Sequence, residues 1–484
     1  MKSKKINHPE WAIKFKKKGT ELRCINNRYY LYKITSKWDK IKKRTRKITL
    51  EMIGRITKED GLIPKGIKRS SIKKAKTIFI KEYGSSKILQ DLGKDIKKSL
   101  QKFFPDFWQS IYVLAIQRLI YQSPLKNMQF YYEKSYLEQT YPKLNLSKNF
   151  LTHLMKNIGI DKEKISSFLK TFIEGSQYIL FDVTQVISQS KKMQINQIGY
   201  NSQKIFDPQI NLFYMFSTDK KAPIYYRIIP GDISGIKALQ LTVKTAELKN
   251  TIVIADKGFS SQENIKILKK TSINYVLPLR RNSKFMNISK LSSRKYEEAF
   301  DGHFFFKKRA IFYYEYQKQN QRCILYFDSR LSSEEKNDYL HRIEEKYENY
   351  SMELFKKKEL TFGTILITTN LKKSPQDIYE ILKTRMEVEE MFDVLKNTLN
   401  ADSTYMQSSD SFETWLLINH IALLLYYRIF VLLKDSKLLK NLSPKDLLVR
   451  LARIYKLSIN GEWVTSEITY KTRAILDKLN LTVT

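Results

Sequence analysis

The chain has 484 residues, 42% of them hydrophobic, with 87 Lys and Arg against 49 Asp and Glu, for a formal net charge of +38. The length supports a large core and more than one domain, and the hydrophobic share is ordinary for a soluble protein. The charge is not ordinary: the shortage of acids goes beyond a lysine-rich coding bias and makes a polyanion the first partner to expect. Cys24 and Cys323 lack a C-x-x-C partner, and His8, His153, His303, His341 and His420 are scattered, which speaks against a disulfide framework and against a zinc-ligand spacing. There is no G-x4-G-K-[ST] loop to point to ATP. The charged N-terminal stretch does not read as a secretory leader, so a reducing cytoplasm is the expected setting.

Residues 1–70 are basic and hold two strand-like runs, 29–34 and 46–50. Between them, Lys37-Trp38-Asp39-Lys40-Ile41-Lys42-Lys43-Arg44 predicts the cationic tip of a small hairpin. There Lys42, Lys43 and Arg44 are suited to follow phosphates, and Trp38 to lie on a sugar or base; a solvated loop is the alternative. Residues 71–174 read as helical. An amphipathic stretch covers 110–121, and Ser147 is placed to cap a helix over 148–158 that Gly159 would end. The pattern suits a helix-turn-helix-like DNA reader or a plain helical hairpin.

Residues 178–184 and 251–256 are short, apolar, β-branched runs that read as buried strands. Each carries an acid, Asp182 or Asp256, where the strand should leave the sheet. Lys257-Gly258-Phe259 then turns the chain towards a helix starting near Ser260. Carboxylates at strand ends can converge on one metal cluster from rigid backbone, although an aspartate there also serves as a helix cap or turn residue. Asp256 and Glu389 lie about 130 residues apart, far more than one connection needs. The excess holds strand-like material at 303–316 and 322–327 and a charged helical stretch at 332–358. In it Lys307, Lys308, Arg309, Tyr313 and Tyr314 suit either a DNA-holding surface or half-buried strands.

A final amphipathic helix comes next. Ile381, Val388, Met391, Phe392, Leu395 and Leu399 share an arc that would face a core, while Arg385, Glu389 and Lys396 fall within roughly 40° of each other at about 100° per residue. A carboxylate between two cations suits a site where metal and phosphate meet; it equally suits a solvated face of ion pairs. Residues 415–433 are apolar but interrupted by Asn419, His420 and Arg428, which predicts a buried helix rather than a membrane span. Residues 436–484 read as a helical tail.

Phe181-Asp182-Val183-Thr184, Ala255-Asp256-Lys257-Gly258-Phe259 and Arg385-x3-Glu389-x6-Lys396 together resemble the DDE-type transposases of bacterial insertion sequences, in the branch marked by a Y-R-E-K signature. Further similarity lies in Asp207-Pro208-Gln209-Ile210-Asn211-Leu212, in Ile229-Pro230-Gly231-Asp232 and in the run from Gly363 to Asn370, so that residues 20–435 are covered. The resemblance implies an α/β fold with a ribonuclease H-like catalytic core over 175–435, interrupted by a β-rich subdomain at about 260–370 and preceded by the hairpin and helical DNA-binding regions. It implies binding to the ends of an insertion sequence, metal-dependent cleavage, and strand transfer. Two Mg²⁺ ions (Mn²⁺ being an alternative) would lie about 3.5–4 Å apart, Asp182 bridging both, Asp256 holding one and Glu389 the other. Water would release a 3′-hydroxyl that then attacks target DNA, with Arg385 and Lys396 clamping phosphates beside the scissile bond. The implied partners are terminal inverted repeats, target DNA and a second copy of the chain in the DNA complex, with no membrane; the setting is a bacterial cytoplasm and its nucleoid.

One departure is visible. Leu382 stands where the signature has tyrosine, and Tyr379 is one turn earlier but about 60° further round the helix. Two rival readings remain: a metal-dependent nuclease that joins no strands, and a catalytically silent DNA-binding protein derived from a transposase. Intact Asp182, Asp256 and Glu389 speak against the second, and Leu382 for it. Any of these readings makes non-specific DNA affinity largely electrostatic. Affinity should fall linearly in log salt, by on the order of 10³-fold between about 50 and about 200 mM if six or more phosphates are engaged. A flat salt titration would reject nucleic acid as the partner of this charge.

Overall fold

The computed structural model describes residues 8–39, 42–65, 77–199, 207–232, 235–292 and 300–483. The chain divides into two compact units, one of Met1–Phe79 with Leu457–Val464 and one of Ile80–Lys456 with Thr465–Thr484.

The first unit is built on four antiparallel strands in sequential order, β1 (Thr20–Ile25), β2 (Arg28–Asp39), β3 (Arg44–Thr57) and β4 (Gly61–Pro64). Its small core gathers Ala12, Leu22, Leu31 and Ile56 at one end of the long strands. The β2–β3 ladder runs from Tyr29↔Ile56 out to Asp39↔Arg44. The stretch expected as the tip of a hairpin lies at the far end of this ladder: Lys37–Asp39 close β2, Arg44 opens β3, and Lys40 and Ile41 lie outside the described residues.

The second unit is organised by a large mixed sheet. Its longer strands are β5 (Tyr178–Ser188), β6 (Pro208–Ser217), β7 (Ala222–Pro230), β8 (Ile252–Ala255), β9 (Asn274–Leu279), β10 (Gly302–Phe306), β11 (Arg309–Lys318), β12 (Gln321–Asp328) and β13 (Thr364–Thr369), and the two-residue strands Gln197–Ile198 and Ser403–Thr404 pair with β6 and β5. Across the sheet the order is β10-β11-β12-β13-β9-β8-β5-β6, with β7 beside β6. β8 runs parallel to both β5 and β9, and β5–β6 and β6–β7 are antiparallel. From Gln209 to Ser217 every residue of β6 is buried, because helices cover this part of the sheet and a near-continuous apolar run is what such a strand needs.

Two sequence expectations change here. The strand bearing Asp182 does not end there; it continues to Ser188 because Val183–Ile187 keep pairing with β6. The strand-like material between Asp256 and Glu389 joins the central sheet, β13 pairing with both β12 and β9. Within it the expected run 303–316 is a hairpin, since Lys307 and Lys308 take φ of 46° and 64° and turn β10 into β11.

Among the helices of this unit are α1 (Trp108–Tyr121), α2 (Lys148–Ile160), α3 (Pro375–Lys383), α4 (Met386–Asp393) and α5 (Ser409–Asp435). By length and composition α5 would pass as a membrane span, yet most of it is buried within the protein, with α1 and α2 packed along it. Its interrupting Asn419 accepts from Arg118 Nε of α1 at 3.0 Å. Ser147 precedes α2 in extended conformation without a side-chain cap, and Gly159 lies inside the helix rather than ending it. A Cβ at Gly159 would stand 1.8 Å from the Asp410 carbonyl, so the glycine serves close packing at the start of α5. The C-terminal stretch is only partly helical: strands Tyr455–Ile459 and Glu462–Thr465 separate Pro444–Leu451 from Tyr470–Lys478.

Glu413 on α5 is a buried carboxyl. Burial pushes it up to about 7, with Lys162 opposing and Asp410 adding to the shift. Because the folded value exceeds the ordinary 4.5, this group favours the fold fully at low pH, and the contribution is lost as pH rises from about 4.5 through about 7. Glu413→Gln should therefore gain on the wild type as pH rises from about 5 to about 8, by on the order of 2 kcal/mol at the upper end. Thermal melting of both proteins at the two pH values checks this; a gap that fails to widen would contradict it.

Candidate active site

Strand register sets the first two acids. Ala255, the last residue of β8, pairs with Phe181 of β5. One step further along both parallel strands, Asp256 comes level with Asp182. Asp182 is held on its other side by pairing with Tyr214 of β6. The chain leaves β8 at Asp256 through a single 3-10 turn, Lys257–Phe259, and re-enters helix at Gln262–Lys270, where the Ser261 hydroxyl accepts from Asn264 N.

The third acid arrives from a helix. α3 and α4 were expected as one helix but are joined by a tightened turn, in which Arg385 N bonds to Leu382 O and Val388 N to Arg385 O. α4 buries Val388, Met391 and Phe392. Phe392 meets the ring of Tyr214, the cross-strand partner of Asp182, at 5.9 Å between centroids. This packing leaves Arg385 and Glu389 facing Asp182 and Asp256.

Arg385 joins the three acids. Its Nη1 lies 3.1 Å from Asp256 Oδ1, and its Nη2 lies 3.2 Å from Glu389 Oε1 and 3.8 Å from Asp182 Oδ2. Exposure rises outward, the side chains of Asp182, Asp256 and Glu389 being 17%, 32% and 59% accessible. Burial pushes the Asp182 carboxyl up to about 6; Arg385 and the Val183 amide, which Asp182 Oδ1 accepts at 2.8 Å, act in the opposite sense. Arg385 Nε is buried without a hydrogen-bond partner among the described residues.

Lys396 is not drawn into this group. Helix α4 passes into a π-turn over Val394–Thr398, and the extra residue per turn breaks the spacing that would return Lys396 to the Glu389 face. Lys396 is half-buried; burial lowers its ammonium pKa and Asp402 raises it. Of the N-terminal cations, Lys42 and Lys43 lie in the β2–β3 turn and Arg44 opens β3; all three are exposed, and they belong to the other compact unit.

A cleft of about 750 Å³ opens on Asp256 and Glu389, lined also by Arg280, Arg281, Leu382 and Lys383 among others. Arg280, Arg281 and Lys383 were missed in sequence. The signal was available for the arginines, which follow β9 just as Asp256 follows β8. Arg281 is tied to Glu335 at 2.9 Å and to the Thr364 carbonyl at 3.0 Å; Arg280 is exposed. Leu382, at the position of the signature tyrosine, lines the cleft. Tyr379 turns away and is buried among Phe304, Phe306 and Tyr326.

Among the described residues no group of three or more His, Cys, Asp and Glu side chains is set to hold an ion as it stands. The carboxylates instead surround one guanidinium, a cation of the protein's own. Their chemistry nonetheless fits Mg²⁺, which takes hard oxygen ligands and needs few carboxylates because it keeps waters. Holding the ion would require Arg385 to yield its place between them.

Residues 173–425, just over half of the chain, match the model of the Transposase DDE domain family, and the chain belongs to that family. No curated protein matches it. Among solved structures, the piggyBac transposase synaptic complex with hairpin DNA aligns with a TM-score of 0.36 and 12% identity, over 76% of this chain and 70% of that one. The Mos1 transposase paired-end complex with left transposon end aligns with a TM-score of 0.15 and 13% identity, over 32% of this chain and 53% of that one.

The placement of Tyr379 and Leu382 has a consequence for DNA cleavage. Tyr379→Phe removes a hydroxyl that faces away from the cleft and should leave the rate within about twofold. Leu382→Tyr sets a phenol on the cleft wall and should match or exceed the wild type. Initial nicking rates of the purified variants check both; a loss beyond about tenfold in Tyr379→Phe would show that the buried tyrosine serves the reaction.

Proposed function

We propose that this protein is the transposase of a bacterial insertion sequence, binding the element's terminal inverted repeats and catalysing metal-dependent DNA cleavage and strand transfer by the DDE mechanism. The observation that carries the reading is the convergence of Asp182, Asp256 and Glu389 on one point, each within 3.8 Å of the Arg385 guanidinium. The strand order β7-β6-β5-β8-β9, with the first three antiparallel and β8 parallel to both of its neighbours, supports a ribonuclease H-like core. Family membership supports phosphodiester chemistry in general.

In this reading Asp182, Asp256 and Glu389 hold two Mg²⁺ ions, with Mn²⁺ as a substitute. Bound there, the ions supply a nucleophile at neutral pH and offset charge on the leaving oxygen. The chain's own contributions come from its geometry. The β5 and β8 backbones fix two carboxylates at one level, so the cluster needs little reorganisation before reaction. Arg385, released from the carboxylates, is placed to grip a phosphate with its fork of donors. Arg280 and Lys383 give the cleft a cationic wall for the flanking strand. Lys396 lies outside that set. The partners proposed are the inverted repeats, target DNA and a second copy of the chain, in the bacterial cytoplasm. Convergence of the acids weighs against a catalytically silent DNA-binding protein; strand-transfer products separate a transposase from a nuclease.

Asp182→Asn, Asp256→Asn and Glu389→Gln each keep shape but remove a negative charge from the cluster. Mg²⁺-dependent nicking of DNA carrying the element's ends should fall below detection in each. Double variants should be no worse than singles, because the residues act as a unit. Gel-shift affinity on the same preparations should persist. Normal nicking by a folded Glu389→Gln protein would remove α4 from the catalytic machinery.

A further inference from the structure

The outer half of the β2–β3 ribbon has the features of an arm without a partner. Beyond the small core around Leu31 and Ile56, the strands continue as a two-stranded ribbon from Thr35↔Ile48 to Asp39↔Arg44. Every residue from Lys42 to Glu51 is exposed, as are Thr35 to Trp38 on the facing strand. A bare two-stranded ribbon is marginal in water. This one also exposes Trp38 at 58% and Leu50 at 55%, a cost that nothing in the described unit repays.

The charges are arranged against the ribbon's own stability as well. Directly opposed residues share a face, so Lys37 and Arg46 stand side by side, flanked on that face by the pairs Asp39–Arg44 and Thr35–Ile48. Like charges in direct register destabilise a ladder, and neither Lys37 nor Arg46 has an ion pair among the described residues. The opposite face carries Trp38, Thr45 and Lys47. Exposed apolar area, the like-charged Lys37–Arg46 pair and two bare faces all become favourable in one surrounding: a groove walled by phosphates.

We infer that this outer ribbon enters the major groove of duplex DNA, with the Lys37–Arg44–Arg46 face reading base edges. The inference rests on the proposal that the chain binds DNA, and it specifies how. A major groove of B-form DNA, about 12 Å wide, admits a two-stranded ribbon. Five residue pairs at about 3.3 Å each span four to five base pairs. Arg44 and Arg46 provide planar forks that match the O6 and N7 acceptors of guanine, and Ile48 offers an apolar contact for a thymine methyl. Trp38 and Lys47, on the far face, meet the groove wall of sugars and phosphates.

The test uses the full chain and a duplex selected from a library with about 20 randomised base pairs, compared with a mixed-sequence duplex. Arg44→Ala and Arg46→Ala should each weaken the selected duplex by about 10- to 100-fold and relax its sequence at one base pair, while mixed-sequence affinity falls by less than about threefold. Arg46→Lys should keep mixed-sequence affinity and lose part of the preference, which separates reading from misfolding. Replacing guanine by 7-deazaguanine should reproduce the loss in the wild type and add little in the variants. An A-form RNA duplex of the same sequence, whose deep, narrow major groove excludes a ribbon, should not compete. Equal losses on both duplexes would leave the ribbon a phosphate holder only, and no loss on either would take DNA off it; both outcomes overturn the inference. Mg²⁺-dependent nicking on the same preparations keeps the two readings apart. Base reading without nicking fails the catalytic proposal alone, and nicking with unchanged preference in the variants fails the ribbon alone.

Discussion

The sheet-centred unit of this molecule depends on a charge problem solved by one side chain. Three carboxylates crowd together beside a buried sheet, and burial pushes the Asp182 carboxyl above its ordinary range. The Arg385 guanidinium stands between all three, 3.1 Å from Asp256, 3.2 Å from Glu389 and 3.8 Å from Asp182. Removing it would leave like charges facing one another in a partly dry site, the costliest arrangement available there. The tightened turn between α3 and α4 presents Arg385 to Asp182 and Asp256, and the packing of Phe392 on Tyr214 fixes the helix that carries Glu389.

Much of this was legible in the amino-acid sequence. The apolar runs around Asp182 and Asp256 are buried strands because β-branched residues with no polar alternation fit only a covered sheet. The i, i+4 spacing of Arg385 and Glu389 places them together on a helix, and they do meet. The apolar stretch 415–433 is a core helix whose polar interruption, Asn419, answers Arg118. Gly159 was misread because local rules treat a glycine near a helix end as a stop, whereas here it is the closeness of Asp410 that demands it.

What stayed hidden was long-range. The π-turn at Val394–Thr398 arises from how the helix end packs, and no residue in it announces an extra residue per turn; an angular argument carried to Lys396 therefore overshoots. The continuation of β5 past Asp182 depends on partners some 25 residues away in β6. The inserted strands reach the central sheet through β13, which lies far along the chain from β9. The exposed ribbon was visible as two strand runs, but its length was not, because charged residues between them look like loop until the cross-strand register is known.

The origins of the acids also divide the site by timescale. Asp182 sits in a strand paired on both sides, and Asp256 comes directly after a strand paired on both sides. Amides there exchange with solvent only when the sheet itself opens. Glu389 projects from a helix of eight residues that runs straight into a π-turn and is the most exposed of the three. Deuterium should reach the backbone around Glu389 well before it reaches that around Asp182. One wall of the site is set when the sheet forms, and the other can still adjust each time something enters.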